Sequence, residues 1–168
     1  MQREQLQAIQ GPIKQRYQEN PGAALVTLSA SGQLDGENIV CSVATGRALV
    51  DAGLHPSTGG DGSQVCSGDM LLEALVACAG VTLRAVATSL EIPVTGTVHA
   101  EGEIDMRGTL GVDKTAPVGF RTIRLGFDLE SDAPDEAIAT LQRLTERYCV
   151  VYQTLRGGVD VTVTTTRV

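Results

Sequence analysis

The chain has 168 residues, of which 42% are hydrophobic and 20% charged, and it carries a formal net charge of -7. A chain of that size can bury a core without disulfide or metal staples, and the composition is globular rather than disordered. Aromatic residues make up only 3%, with no Trp, so few rings are available to stack on bases, and the negative charge repels a phosphate backbone; nucleic acid is excluded as an expected partner.

The N-terminal run MQREQLQAIQGPIKQRYQEN lacks the apolar stretch of a signal peptide, and no window of the chain is expected to reach the roughly 18 apolar residues that a membrane span needs. A cytoplasmic protein without membrane association is expected. Within this first run Leu6, Ile9, Ile13 and Tyr17 recur at helical spacing, which predicts a surface helix over 2–19, interrupted near Gly11-Pro12 and ended by Asn20-Pro21-Gly22. Strands are expected over 23–30, 38–44 and 47–51, separated by the turn-prone SGQLDGEN and by Thr45-Gly46, as an antiparallel meander. The segment GLHPSTGGDGSQVCSG, 53–68, fits neither period and reads as a loop.

The next segment, 69–91, is apolar around most of a helical circumference, with a narrow stripe of Glu73, Ala77, Gly80, Arg84, Thr88 and Glu91. Such a helix must be buried on several sides, and one sheet covers only one, so a homodimer is expected. Pro93 closes it. Segments 94–106 and 120–130 alternate as half-buried strands, with Ile123, Leu125, Phe127 and Leu129 on one face. Asp132-Ala-Pro-Asp signals a helix start with Pro134 in its first turn, and Ile138, Leu141, Leu144 and Tyr148 supply the apolar stripe up to Cys149. VVYQTL reads as a further short turn of helix, Gly157-Gly158 breaks the chain, and VDVTVTTT alternates as a terminal strand. Strands, helix, strands, helix and strand in one domain, 1–168, give the α+β class.

Chemistry narrows to the four cysteines. In a reducing compartment Cys41, Cys66, Cys78 and Cys149 would be free thiols, redox-active thiols or metal ligands. Cys41, between Val40 and Ser42 in an apolar strand, reads as filler. Cys66 sits near a helix start, a place that favours a thiolate, although an exposed loop thiol is the blander reading. Cys78 lies about 14 Å along the helix from Asp69, beyond the reach of the end-of-helix dipole, so any activation must come from neighbours in space. His55 and His99 are the only histidines and lack zinc-ligand spacing, the glycine-rich loop lacks the Gly-Lys-Ser/Thr of a phosphate cradle, and Asp69 with Glu73 reads as a polar helix start.

Two blocks go further. GGDGSQVCSGDMLLEALVACAGVTL resembles the signature of the osmotically inducible protein C and organic hydroperoxide resistance (OsmC/Ohr) family, a glycine-rich loop leading into a helix of the form E/D-x-L-L-x-A-L-x-x-C. RYCVVYQTLRGGVDVTV resembles that family's C-terminal cysteine, short helix and last strand. The resemblance covers about residues 36–168; residues 1–35 are less diagnostic.

It implies an OsmC-like α+β fold, antiparallel sheets packed with a long central helix, in an intertwined homodimer with an interfacial pocket where the two cysteines face each other. It further implies a cytoplasmic thiol-dependent peroxidase of oxidative stress defence, needing no cofactor or metal. Cys78 would attack an organic hydroperoxide and become a sulfenic acid, and Cys149 would condense with it to a disulfide. An external dithiol, a lipoyl-bearing protein in better-known members, would restore both thiols. The family also uses an arginine held by a glutamate. At the glutamate's place this chain has Gly68 and Asp69; Asp69 is the nearest substitute, and Arg47 or Arg16 is the candidate arginine. The alternative is a non-catalytic redox-sensing or small hydrophobic ligand-binding protein on the same fold.

Overall fold

A computed structural model of the chain describes residues 2–20, 32–34, 40–44 and 49–167. The expected strand at 23–30 and Arg47 lie outside them, and the side chains of Arg16 and Cys41 are likewise outside the description. The chain divides into two compact units, residues 1–73 with 99–126 and residues 74–98 with 127–168.

The first unit holds α1 (Arg3–Glu19), the strands β1 (Gly32–Leu34), β2 (Val40–Ala44), β3 (Leu49–Gly53) and β4 (Val65–Cys66), and the short α3 (Met106–Thr109). Helix α1 runs through Pro12 without the expected interruption; the ring removes one backbone donor but does not stop the helix. The strands order β1-β2-β3-β4. Antiparallel pairing sets Cys41 opposite Leu34 and Ala52, whereas β3 and β4 are parallel, Gly53 opposite Cys66. Two expectations are corrected here. The turn-prone segment contributes β1, and the glycine-rich loop contains a 3-10 turn, Pro56–Thr58, and strand β4. Pairing with a neighbour recruits such residues despite weak intrinsic preference. His55 caps the 3-10 turn, its Nδ1 accepting from the Ser57 N–H at 3.0 Å. Cys66 is half-buried at the end of β4.

Helix α2 (Ser67–Leu90) and strands β5 (Thr95–Ile104) and β6 (Phe120–Glu130) contribute residues to both units. β5 and β6 pair with each other, and Thr97 meets Asp128 while Glu103 meets Arg124, so the strands are antiparallel. Gly96 is required: its φ is +136°, and a Cβ there would strike the Asp128 carbonyl. Ile123, Leu125, Phe127 and Leu129 are all half-buried, as their alternation predicts.

The second unit contains α4 (Asp135–Tyr148) and α5 (Val150–Gly157). Its core is Leu83, Ala87, Val94 and Leu141, with Val86, Ile92, Phe127 and Leu129 packed on it. Helix α2 ends in a left-handed Glu91, φ 58°, with Ile92 N–H bonded to the Ala87 carbonyl and Glu91 N–H to that of Thr88. These bonds satisfy carbonyls that the helix end would orphan, and Pro93 follows as a stop. Contrary to the sequence expectation, α2 is long and apolar enough to cross a membrane by length and composition, with a mean hydropathy of 1.8 over its best window. Glu73 and Arg84 interrupt the apolar run, but the leucines, valines and alanines around them outweigh the two charges in that mean. Leu75, Ala79, Leu83 and Ala87, one face at helical spacing, are buried, the pattern of a core helix.

Two further expectations fail in this unit. Tyr148 is 59% exposed rather than part of the α4 stripe; buried Leu141 with half-buried Ile138 and Leu144 keep the rest of it, and buried Thr145 joins them. Residues 158–167 form no strand, and Val159, Val161 and Val163 stand exposed. Alternation qualifies a segment for pairing, but a strand exists only where a partner completes its hydrogen bonds.

Candidate functional site: a thiol pair at a helix start

Cys149 is the single residue between α4 and α5. Its N–H donates to the Thr145 carbonyl at 2.9 Å and closes α4, while its carbonyl accepts from Gln153 N–H at 3.0 Å and opens α5. The backbone there is extended, φ -73° and ψ 109°, and the side chain makes no capping bond to α5. Where Ser, Thr, Asp or Asn would accept firmly from the first N–H groups of a helix, this chain has a thiol, a weak acceptor, on which the Tyr152 and Val151 N–H groups act without a full capping bond. Gln153 Nε2 donates to the Glu146 carbonyl at 2.7 Å, tying α5 to the last turn of α4 and fixing the junction.

Cys78, half-buried on α2, meets this open helix start. Burial pushes its thiol up, but hydrogen bonding from Val151 N–H, the Cys149 thiol, Val150 N–H and the Thr82 hydroxyl outweighs burial, and Cys78 ionises below its ordinary value of 9.0. Backbone N–H groups at a helix start are the donors best placed to stabilise a thiolate. Cys149, 1% exposed, moves the opposite way. Burial raises it first; the Tyr152 N–H opposes that, and hydrogen bonding and charge repulsion from Cys78 add to the rise. The two thiols therefore ionise as a pair, with the first proton leaving from the Cys78 side.

The structure thus brings together Cys78 and Cys149, 71 positions apart in sequence. Thr82, Val150 and Val151 join them without having been singled out by sequence. Thr82 was open to discovery, since a residue four positions on shares a helix face with Cys78. The two valines act through backbone N–H groups, which no side-chain motif can signal. Asp69 is exposed in the first turn of α2. A concavity of about 380 Å³ at the far end of α2, lined by Glu91, Ile92, Pro93 and Asp132 among others, contains neither cysteine.

The class defined so far is an α+β protein with a free cysteine on a long helix beside a second one at a helix start. A model of the OsmC-like protein family matches residues 60–164, and the chain belongs to that family. An OsmC-like protein of Mycoplasma pneumoniae is similar in structure at a TM-score of 0.65 and 17% identity, over 79% of this chain and 89% of that one. An organic hydroperoxide resistance protein OsmC of Legionella pneumophila is similar at 0.59 and 19%, over 82% and 94%. The organic hydroperoxide resistance protein OhrB of Bacillus subtilis is similar at 0.53 and 19%, over 82% and 96%. At these identities the likeness is one of fold. No curated protein matches in sequence.

Proposed function

We propose that the chain is a thiol-dependent peroxidase that reduces organic hydroperoxides to alcohols. The observation that carries this reading is the meeting of two thiols, Cys78 on α2 and Cys149 at the α5 start, with Cys78 eased toward ionisation and Cys149 shifted away from it. The Cys78 thiolate attacks one peroxide oxygen; a sulfur–oxygen bond forms as the oxygen–oxygen bond breaks, and the alkoxide leaves and takes up a proton. Cys149 then attacks the sulfur of the Cys78 sulfenic acid, giving a Cys78–Cys149 disulfide and water. An external dithiol, a lipoyl-bearing protein being the candidate, reduces the disulfide by exchange.

Thiolate population alone accounts for little of the rate. Lowering a cysteine pKa from about 8.5 to about 6 raises the thiolate fraction at neutral pH roughly thirtyfold, while the accompanying loss of nucleophilicity gives back about tenfold. Fixed donors that hold the sulfur and receive developing charge matter more. The open start of α5 supplies two.

The working form on this reading is a homodimer. Only 22% of the apolar window of α2 is buried, and Val81, three residues from Cys78, is 73% exposed; a second copy is the natural cover for such a face. The test is peroxide consumption by purified protein with a dithiol reductant, using a small organic hydroperoxide. Multiple turnovers by the wild type and none by Cys78→Ser are expected, and wild-type protein inert to peroxide would refute the reading.

A further inference from the structure

Cys149 is the one non-helical residue between α4 and α5, so its two backbone dihedrals set the angle between the helices. Its own backbone bonds leave that angle free. The Cys149 N–H bond to Thr145 lies wholly before the two dihedrals, and the Gln153 N–H bond to the Cys149 carbonyl wholly after them. The Gln153 side chain reaches across: its Nε2 donates to the Glu146 carbonyl at 2.7 Å. That carbonyl is among the last four of α4, which have no partner within their own helix. One residue of α5 thus grips both sides of Cys149, by its backbone after the hinge and by its side chain before it. Gln142 offers a comparison. Its Nε2 also donates to Glu146, at 3.0 Å, but to the carboxylate and from within α4, so it does not span the hinge. Gln142 and Gln153 are both exposed, whereas Cys149 is 1% exposed.

We infer that Gln153 is a positioning residue for the Cys149 thiol: its side-chain amide latches α5 against the end of α4 and so keeps the sulfur buried at the hinge. In the peroxidase reading, on which only this consequence rests, a latched hinge holds the resolving sulfur within the narrow range of separations that a disulfide tolerates. The role requires a hydrogen-bond donor at the end of a long side chain. Methionine has nearly the length of glutamine and no donor, whereas lysine keeps one.

The test is the rate of Cys149 alkylation by iodoacetamide in the reduced, intact protein, read by peptide mapping at low concentrations of urea. Gln153→Met is expected to speed it about fivefold, the size of one ordinary hydrogen bond. Opening a hinge exposes little surface, so the faster rate should not vary with urea, whereas a rate governed by global unfolding climbs steeply with it. Gln153→Lys should stay close to wild type, and Gln142→Met should leave the rate unchanged. A Gln153→Met rate equal to wild type, or one that climbs with urea as global unfolding does, would overturn the inference. So would Gln153→Lys or Gln142→Met reacting as fast as Gln153→Met. Should circular dichroism show Gln153→Met unfolded, Gln153→Ala against Gln153→Lys decides the matter, because equal rates for those two would also overturn it. A faster Cys149 in Gln153→Met together with a wild type that leaves peroxide unconsumed would discard the peroxidase reading and uphold the role of Gln153.

Discussion

Val150→Pro isolates the contribution of the α5 start to the reactivity of Cys78. Val150 is the first residue of α5, the helical position where proline is best tolerated, because the missing N–H has no partner within the helix. The residue before a proline must be extended, and Cys149 already is, at φ -73° and ψ 109°. The valine side chain is 69% exposed, so its loss removes little packing. What disappears is one N–H that favours the ionised Cys78. Such a bond to a charged group contributes about 1.5 kcal/mol to the thiolate over the thiol, which corresponds to roughly tenfold in thiolate population at neutral pH. Stopped-flow alkylation with peptide mapping reads the change directly, and thermal unfolding checks that the fold persists. A folded Val150→Pro whose Cys78 reacts at the wild-type rate would refute the claim that the helix start activates the sulfur.

Three other outcomes follow from named contacts. Leu83→Ala removes a side chain that is 4% exposed in the core of the second unit and should cost about 2–5 kcal/mol in urea unfolding, whereas a loss under about 1 kcal/mol would mean that the core is elsewhere. The Arg107 side chain, together with its backbone N–H, holds Asp105 down to about 2 from an ordinary 3.8. A depressed carboxylate stabilises the fold above its ordinary value and loses that contribution as pH falls through the lowered one. Asp105→Asn should therefore flatten the acid limb of stability between 3.8 and about 2, and an unchanged limb in urea melts would contradict the pairing. Cys149→Ser should consume one equivalent of peroxide and stall with a sulfenic acid that dimedone traps, while Cys78→Ser should consume none; the reverse pattern would exchange the roles.

The long elements were legible because their signals are redundant. Helix α2 announces itself through an apolar pattern sustained to a proline stop, and β6 through Ile123, Leu125, Phe127 and Leu129 at period two. Strands β1 and β4, at three and two residues, carry no local signal of their own and exist through pairing. The reverse holds for residues 159–166, whose alternation is strong but unpartnered among the described residues. Pro12 misled because a helix can tolerate one lost bond where the remaining ones hold. At the site, the two cysteines stood out only through a resemblance spanning both blocks. The donors around Cys78 depend on which backbone N–H groups an unfilled cap leaves free. That follows from Cys149 at the α4–α5 junction and could not be read from residue identity alone.

The central claim is that Cys78 and Cys149 form one redox pair. It is tested most directly by treating the wild-type protein with a stoichiometric amount of organic hydroperoxide, alkylating the remaining thiols and mapping disulfide-linked peptides. The account predicts a Cys78–Cys149 crosslink within one chain, with Cys41 and Cys66 still alkylated. A major crosslink through Cys41 or Cys66, or four alkylated cysteines after peroxide has been consumed, would contradict it.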